Sequence, residues 1–301
     1  MTAAVDTLSA ATRERRTARR ENWHLLRRRP SFIIGSLMSL FWIVCAVLGD
    51  RITPYNPISY TTKPKLSPRS GHWFGTDKIG RDVFSRVIAG ARDVLLVAPA
   101  AAVLGVVFGT VLGMIMGYRR GWIDLLLSRV VEALLALPVI LIGLLILTLA
   151  DSSPFLGAIT FHSRKVLVIY VVALLFTPIV ARTVRSAVIG ERELDYVTSA
   201  KLRGESGAFI MTREILPNIM GPIVVELTVR IGYAIFTVST LSFLGVGIQR
   251  PSPDWGLAIS EGRDLLRAGF WWPTTFPALA IATLVIGVNL MADAIQSVYD
   301  R

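Results

Sequence analysis

The chain is poor in the side chains that carry most enzyme chemistry. It has one cysteine, Cys45, and three histidines, His24, His72 and His162. A lone cysteine excludes a disulfide framework, and no two histidines fall at metal-ligand spacing, so zinc or thiol catalysis has no support. None of the five lysines follows a glycine, which excludes a Walker A phosphate loop. The expectation is therefore a non-catalytic chain without a metal or other cofactor of its own. Charge is scarce too, at 18%, against roughly 25% in soluble domains.

Apolar residues fill the gap. Hydrophobic residues make up 53% of the 301 positions, and mean hydropathy is +0.57. Counting glycine and leaving tyrosine aside, the apolar share is about 59%, where soluble domains hold roughly 45–50%. Disorder is excluded by this composition. Yet the net charge is +11. Strong positive charge on so apolar a chain points to a membrane protein whose basic residues sit at particular places.

A bilayer core of ~30 Å needs about 20 apolar residues in helix. Six runs meet that need: Ser31 to Gly49, about Val94 to Tyr118, roughly Leu125 to Ala150, Val166 to about Ala181, about Met220 to Leu244, and about Phe276 to Val298. None alternates as a barrel strand would, so the expectation is an all-α, polytopic protein with six transmembrane helices. Pro138 and Pro178 are expected to kink the third and fourth spans. The first 30 residues carry eight arginines and a net charge of +5, which places both termini in the cytoplasm. The chain then divides into a basic tail (1–30), a first membrane helix (31–49), an external loop with an amphipathic helix (50–92) and a five-helix core (93–298). That core contains a cytoplasmic segment (190–219) and an external loop (249–274). The tail has one aromatic residue, Trp23, and no nucleic-acid fold signature, so lipid and not nucleic acid is its expected neighbour. The loop at 50–92 goes against the charge rule, because it holds eight basic residues on the outer side.

Residues 190–219 are too polar for the bilayer and too patterned for a simple loop. The spacing predicts a helix from Glu193 to about Arg203 stopped by Gly204, and a second from Glu205 to Ile215. Pro217 would then open the next membrane helix. The pattern fits equally a helix–turn–helix seated in a partner's groove and interfacial helices resting on lipid. Ala200, Gly204, Leu216 and Pro217 stand at the register of the permease motif of ABC importers: Glu-Ala-Ala, three residues, Gly, nine residues, Ile-x-Leu-Pro. Thr198, Ser199 and Glu214 depart from it. The resemblance implies coupling to ATPases through Ala200, Lys201, Gly204, Glu205, Ile215, Leu216 and Pro217.

A second string, residues 71–92, reads GHWFGTDKIGRDVFSRVIAGAR. From Ile79 its apolar residues share one helical face, which predicts an interfacial amphipathic helix with Arg81, Asp82, Ser85 and Arg86 turned to the polar side. It also resembles the signature of dipeptide, oligopeptide and nickel permeases, at Gly75, Thr76, Asp77, Gly80, Arg81, Asp82, Ser85 and Arg86. Gly117-Tyr118 and Trp122-Ile123-Asp124 extend the likeness.

What the resemblance implies is a type I ABC importer permease in a bacterial cytoplasmic membrane, moving di- or oligopeptides by alternating access. It implies a homologous second permease as heterodimer partner, two ATPase subunits or one fused ATPase holding ATP and magnesium, and an extracytoplasmic peptide-binding protein. Nickel or another solute is the alternative cargo, which scarce histidine disfavours. An ion-coupled secondary transporter would carry internal repeats, and none is clear. Glu226 and Arg230, four apart in the fifth span, form either a structural ion pair or, with Asn289, part of a pathway lining.

Overall fold

The computed structural model describes residues 26–60, 63–152 and 163–299. The tail expected over 1–30 thus falls almost wholly outside the described residues. Every regular element among the described residues is helical: α1 (Pro30–Ile52), α2 (Val83–Tyr118), α3 (Trp122–Leu135), α4 (Val139–Ser152), α5 (Arg164–Arg192), α6 (Asp195–Leu202), α7 (Gly207–Phe209), a π-helical turn (Ile210–Ile215), α8 (Leu216–Asn218), α9 (Met220–Phe243), α10 (Trp255–Arg267) and α11 (Trp272–Tyr299). Five helices, α1, α2, α5, α9 and α11, are long and apolar enough to cross a bilayer.

The third expected span is a pair of shorter helices, apolar enough together to cross as one broken span. α3 and α4 meet at a 91° bend. Pro138 sits in that break, since it has no N–H to donate and its ring clashes with the preceding turn. The pair still reaches from one end of the bundle to the other. At one end Asp124 of α3 receives two bonds from Arg185 of α5, at 2.6 and 2.7 Å. At the other, Asp151 of α4 is paired with Arg164, the first residue of α5. Pro178, by contrast, lies inside a continuous α5.

The main axis is the contact of α2 with α5. α2 presents Gly105, Gly109, Gly113 and Gly117, spaced four apart and so on one face. A Cβ on Gly113 would stand 2.6 Å from the Ala181 carbonyl oxygen and 2.8 Å from Val184 Cβ. One on Gly117 would stand 2.7 Å from Val188 Cβ. Only glycine permits this approach, the small-residue device by which membrane helices pack. α1 is held against α11 in the same way, through Gly35 and Gly287, with Trp42 Nε1 donating to Thr283 at 3.0 Å.

α2 has 36 residues, about 54 Å of helix against a ~30 Å hydrocarbon core. It is therefore longer than the apolar layer is thick, and the charged Arg86, Arg92 and Asp93 lie in its first three turns. No separate interfacial helix precedes it: the chain from Ile79 to Asp82 is irregular and the helix starts at Val83. Pro217 likewise does not open a membrane helix. It lies in the three-residue α8, and α9 starts at Met220.

Gly113→Leu should lower stability by about 1–3 kcal/mol through overpacking, read as a reduced unfolding temperature in detergent. Gly190→Ala is the contrast, because nothing lies within 4 Å of its added methyl. That variant should hold or slightly raise the midpoint. Equal losses for both would show that α2 and α5 are not closely packed.

Candidate functional site

The segment between α5 and α9 is seated on the bundle. α6 ends with paired reverse bonds, Glu205 N–H to the Ala200 carbonyl at 3.2 Å and Gly204 N–H to that of Lys201 at 3.0 Å. This closure needs a left-handed residue, and Gly204 has φ +79°. The spacing from Ala200 to Gly204 is thus a helix stop. Ser206 then caps α7 by accepting from Phe209 N–H at 3.3 Å.

The expected second helix is broken, because its latter half winds as a π-helix. In that wider spiral residues five apart fall close to one face, and Ile210 and Ile215 are both fully buried. With Val197, Ala200 and Ile219 they pack on Val184 and Val188 of α5 and on Met114 of α2. Arg192, buried at the end of α5, donates to the carbonyls of Gly117 and Tyr118 at 2.8 and 3.2 Å, which satisfies the last turn of α2.

Ala200 and Ile215 therefore face inward, Glu205 and Leu216 are half-buried, and Lys201, Gly204 and Pro217 are exposed. Lys201 Nζ stands 5.9 Å from the Tyr118 ring centre. The residue that the motif did not single out is Leu202. It is 85% exposed at the tip of α6, between Lys201 and Arg203. Its signal in the sequence is an apolar side chain flanked by charges just before the helix stop.

The signature string forms a buried charge cluster at the opposite end. Asp77 accepts from the backbone N–H of Ile79 and Arg81 at 2.9 and 3.0 Å, and from Arg81 Nε at 2.6 Å. Arg81 and Arg86 both donate to Glu261 Oε2, at 2.5 and 3.0 Å, and Arg250 donates to Oε1. Asp82 caps α2 by accepting from Ser85 N–H and its hydroxyl, both at 2.8 Å, and meets His72 Nδ1 at 2.8 Å. Thr76 donates to the Lys63 carbonyl at 2.9 Å and accepts from Leu66 N–H at 2.8 Å. Gly75 and Gly80 have φ +72° and +87°. The structure thus brings all eight signature residues together. It corrects the expected orientation of four, since Arg81, Asp82, Ser85 and Arg86 are buried and turned inward. Their partner Glu261 is 180 residues from Arg81. Nothing in local periodicity could announce it.

Burial alone would raise Glu261, but Arg86, Arg81 and Arg250 outweigh it and hold its carboxyl below the usual range. Nearby Asp254 caps α10 by accepting from Leu257 N–H at 2.8 Å. It is fully buried, and desolvation with the help of Asp93 pushes it up to about 6, against the pull of Leu257 N–H, Ser242 and Arg86.

Within the spans, Glu226 accepts from Arg230 Nε and from the Thr183 hydroxyl, both at 2.9 Å, so the pair also ties α9 to α5. Arg230 lies 5.1 Å from the Tyr233 ring centre. Asn289, exposed on α11, fills the space above Gly232 of α9. Among the described residues no three His, Cys, Asp or Glu side chains converge as metal ligands would.

Two substitutions read this end. Glu261→Gln leaves buried arginines uncompensated and should cost about 3–5 kcal/mol in unfolding experiments. For Asp254 the folded carboxyl holds its proton more tightly than the unfolded one, so its contribution is complete below about pH 4 and is lost as pH rises through about 6. Asp254→Asn keeps the cap acceptor and should flatten that decline. The difference between variant and parent midpoints, followed from about pH 4 to 8, should favour the variant progressively; a constant difference would contradict the assignment.

Comparisons with known proteins identify the family. The family described as "Binding-protein-dependent transport system inner membrane component" matches residues 109–301. The dipeptide transport system permease protein DppC of Bacillus subtilis is 36% identical, over 92% of this chain and 84% of its own length. A putative peptide transport system permease protein of Brucella suis is 38% identical, over 94% and 90%. The glutathione transport system permease protein GsiD of Pectobacterium atrosepticum is 34% identical, over 95% and 91%. A multi-pass helical chain with this segment and this signature belongs to the family of binding-protein-dependent transport system inner membrane components.

Proposed function

We propose that this chain is the permease subunit of an ATP-driven importer of small peptides, working by alternating access. The observation that carries the proposal is the segment 195–218. It is fixed to α2 and α5 by buried Val197, Ala200, Ile210 and Ile215 while it holds Leu202 outward. A partner that grips Leu202 pulls on a pair of helices whose glycine contact makes them move as one.

That partner is an ATPase, supplied as two subunits or one fused chain, which binds ATP and magnesium. A second, homologous permease completes the pathway, and an extracytoplasmic binding protein delivers the cargo. The eight arginines of the basic tail support a reading with both termini in the cytoplasm of a bacterium and the signature cluster on the outer side. Peptide is the cargo class that the relatives' names support. Glu226, Arg230 and Asn289 are the pathway candidates, one anion, one cation and one amide suited to a zwitterion. Nucleotide acts as a bias on two arrangements of the bundle, and it can shift them only by binding one better than the other.

Leu202→Asp in the assembled complex tests the coupling role. The side chain is exposed, so folding should be unaffected. Stimulation of ATP hydrolysis by loaded binding protein should fall by about tenfold, roughly 1.4 kcal/mol of activation free energy. Full stimulation would refute docking at α6. Uptake of a labelled dipeptide, with nickel as competitor, tests the cargo.

A further inference from the structure

Charges at the signature end are sorted by depth. α10 lies across the ends of three helices: Trp255 Nε1 donates to the Val87 carbonyl of α2 at 2.8 Å, Gly256 abuts Ser239 and Ser242 of α9, and Gly262 abuts Thr274 of α11. Under this cap the carboxylates of Asp77, Asp82, Asp93, Asp254 and Glu261 are all buried. In the signature cluster two of them, Asp77 and Glu261, face three guanidiniums, those of Arg81, Arg86 and Arg250. Asp77 and Glu261 are thus matched by guanidiniums and Asp93 by Lys165, so these three do not offset the cations outside.

Those outer cations are Lys63, Lys65, Arg69 and Lys78, all exposed. None of the four forms an ion pair among the described residues, and Lys65 leans over the Phe270 ring at 5.7 Å. Arg250 lies at the same edge and is 61% exposed, but its charge is already matched to Glu261. Lys78 and Arg250 share an open depression of about 390 Å³ that also takes in Ile248, Gln249, Leu257 and the Arg-paired Glu261. On α10 the one exposed acid, Asp264, stands between Arg263 and Arg267.

We propose that this cationic rim is the seat for an acidic face of the soluble binding protein, and that it works mainly by steering the encounter. The proposal rests on the function given above and adds the place and the chemistry of docking. Exposed like charges raise the local concentration of an oppositely charged partner and speed its arrival, an effect that salt removes. The open depression offers a shaped contact, which suits a protein surface better than lipid headgroups.

The test uses the assembled complex in nanodiscs of uncharged lipid, with the binding protein of the same system. Association rates are measured at about 25 and 300 mM salt for the parent and for Lys63→Glu/Lys65→Glu/Lys78→Glu. The parent rate should fall at least tenfold with salt, the variant should be slower by about tenfold at low salt, and the two should converge at high salt. Basal ATP hydrolysis and the unfolding midpoint of the variant should match the parent. Equal, salt-insensitive rates with peptide uptake intact would overturn the rim alone. Loss confined to retention of anionic lipid would assign the rim to headgroups and overturn it too. Absence of association and of ATP-driven uptake in the parent would overturn the proposed function with it.

Discussion

Between α2 and α5 four glycines bring two backbones so close that a methyl group does not fit. Hydrocarbon gives no reward for burying one apolar side chain against another, so association inside the layer depends on close dispersion contact. A gap of even 1 Å would forfeit much of it. The other contacts are arranged around this pair. α3 is tied to α5 by Asp124 and Arg185, the end of α2 is capped from α5 by Arg192, and the 195–219 segment rests on both. Loosening the glycine contact would misplace each of them.

Polar groups have a different task. The Glu261 cluster takes several charges out of water, and such burial is a poor source of net stability. The cluster joins the 63–82 loop, α2 and α10 through two carboxylates and three guanidiniums, although Arg86 Nη1 is left 3.6 Å from Asp77 without a hydrogen bond. A hydrophobic contact of equal area would tolerate a slip of one helical turn, whereas this cluster would not.

Hydropathy alone made the six spans legible, because each is long, uncharged or nearly so, and set off by charge. Pro138 was legible as a distortion, though not as a 91° break. The glycines at 105, 109, 113 and 117 stand in plain view, but their partner helix does not, and spacing alone cannot name it. The signature was readable as a likeness while its orientation was not: Arg81 and Arg86 look solvent-facing until Glu261 is placed beside them. The π-helical turn was hidden for a related reason. Ile210 and Ile215 lie far apart on a regular helix and close together only on the wider one.

α2 carries residues of both the signature cluster and the 195–219 contact. Asp82 and Arg86 stand at its first turn, and Tyr118, close under Gly207 and Lys201, stands at its last. It is about 54 Å long with Pro99 inside it, so a tilt of roughly 5° about one end, were the helix to move as a rod, would displace the other by about 5 Å. Events at the two faces of the membrane are then not separate. Whatever preference a ligand at one end imposes on the angle of this rod is felt with equal strength by the ligand at the other, because thermodynamic linkage runs both ways.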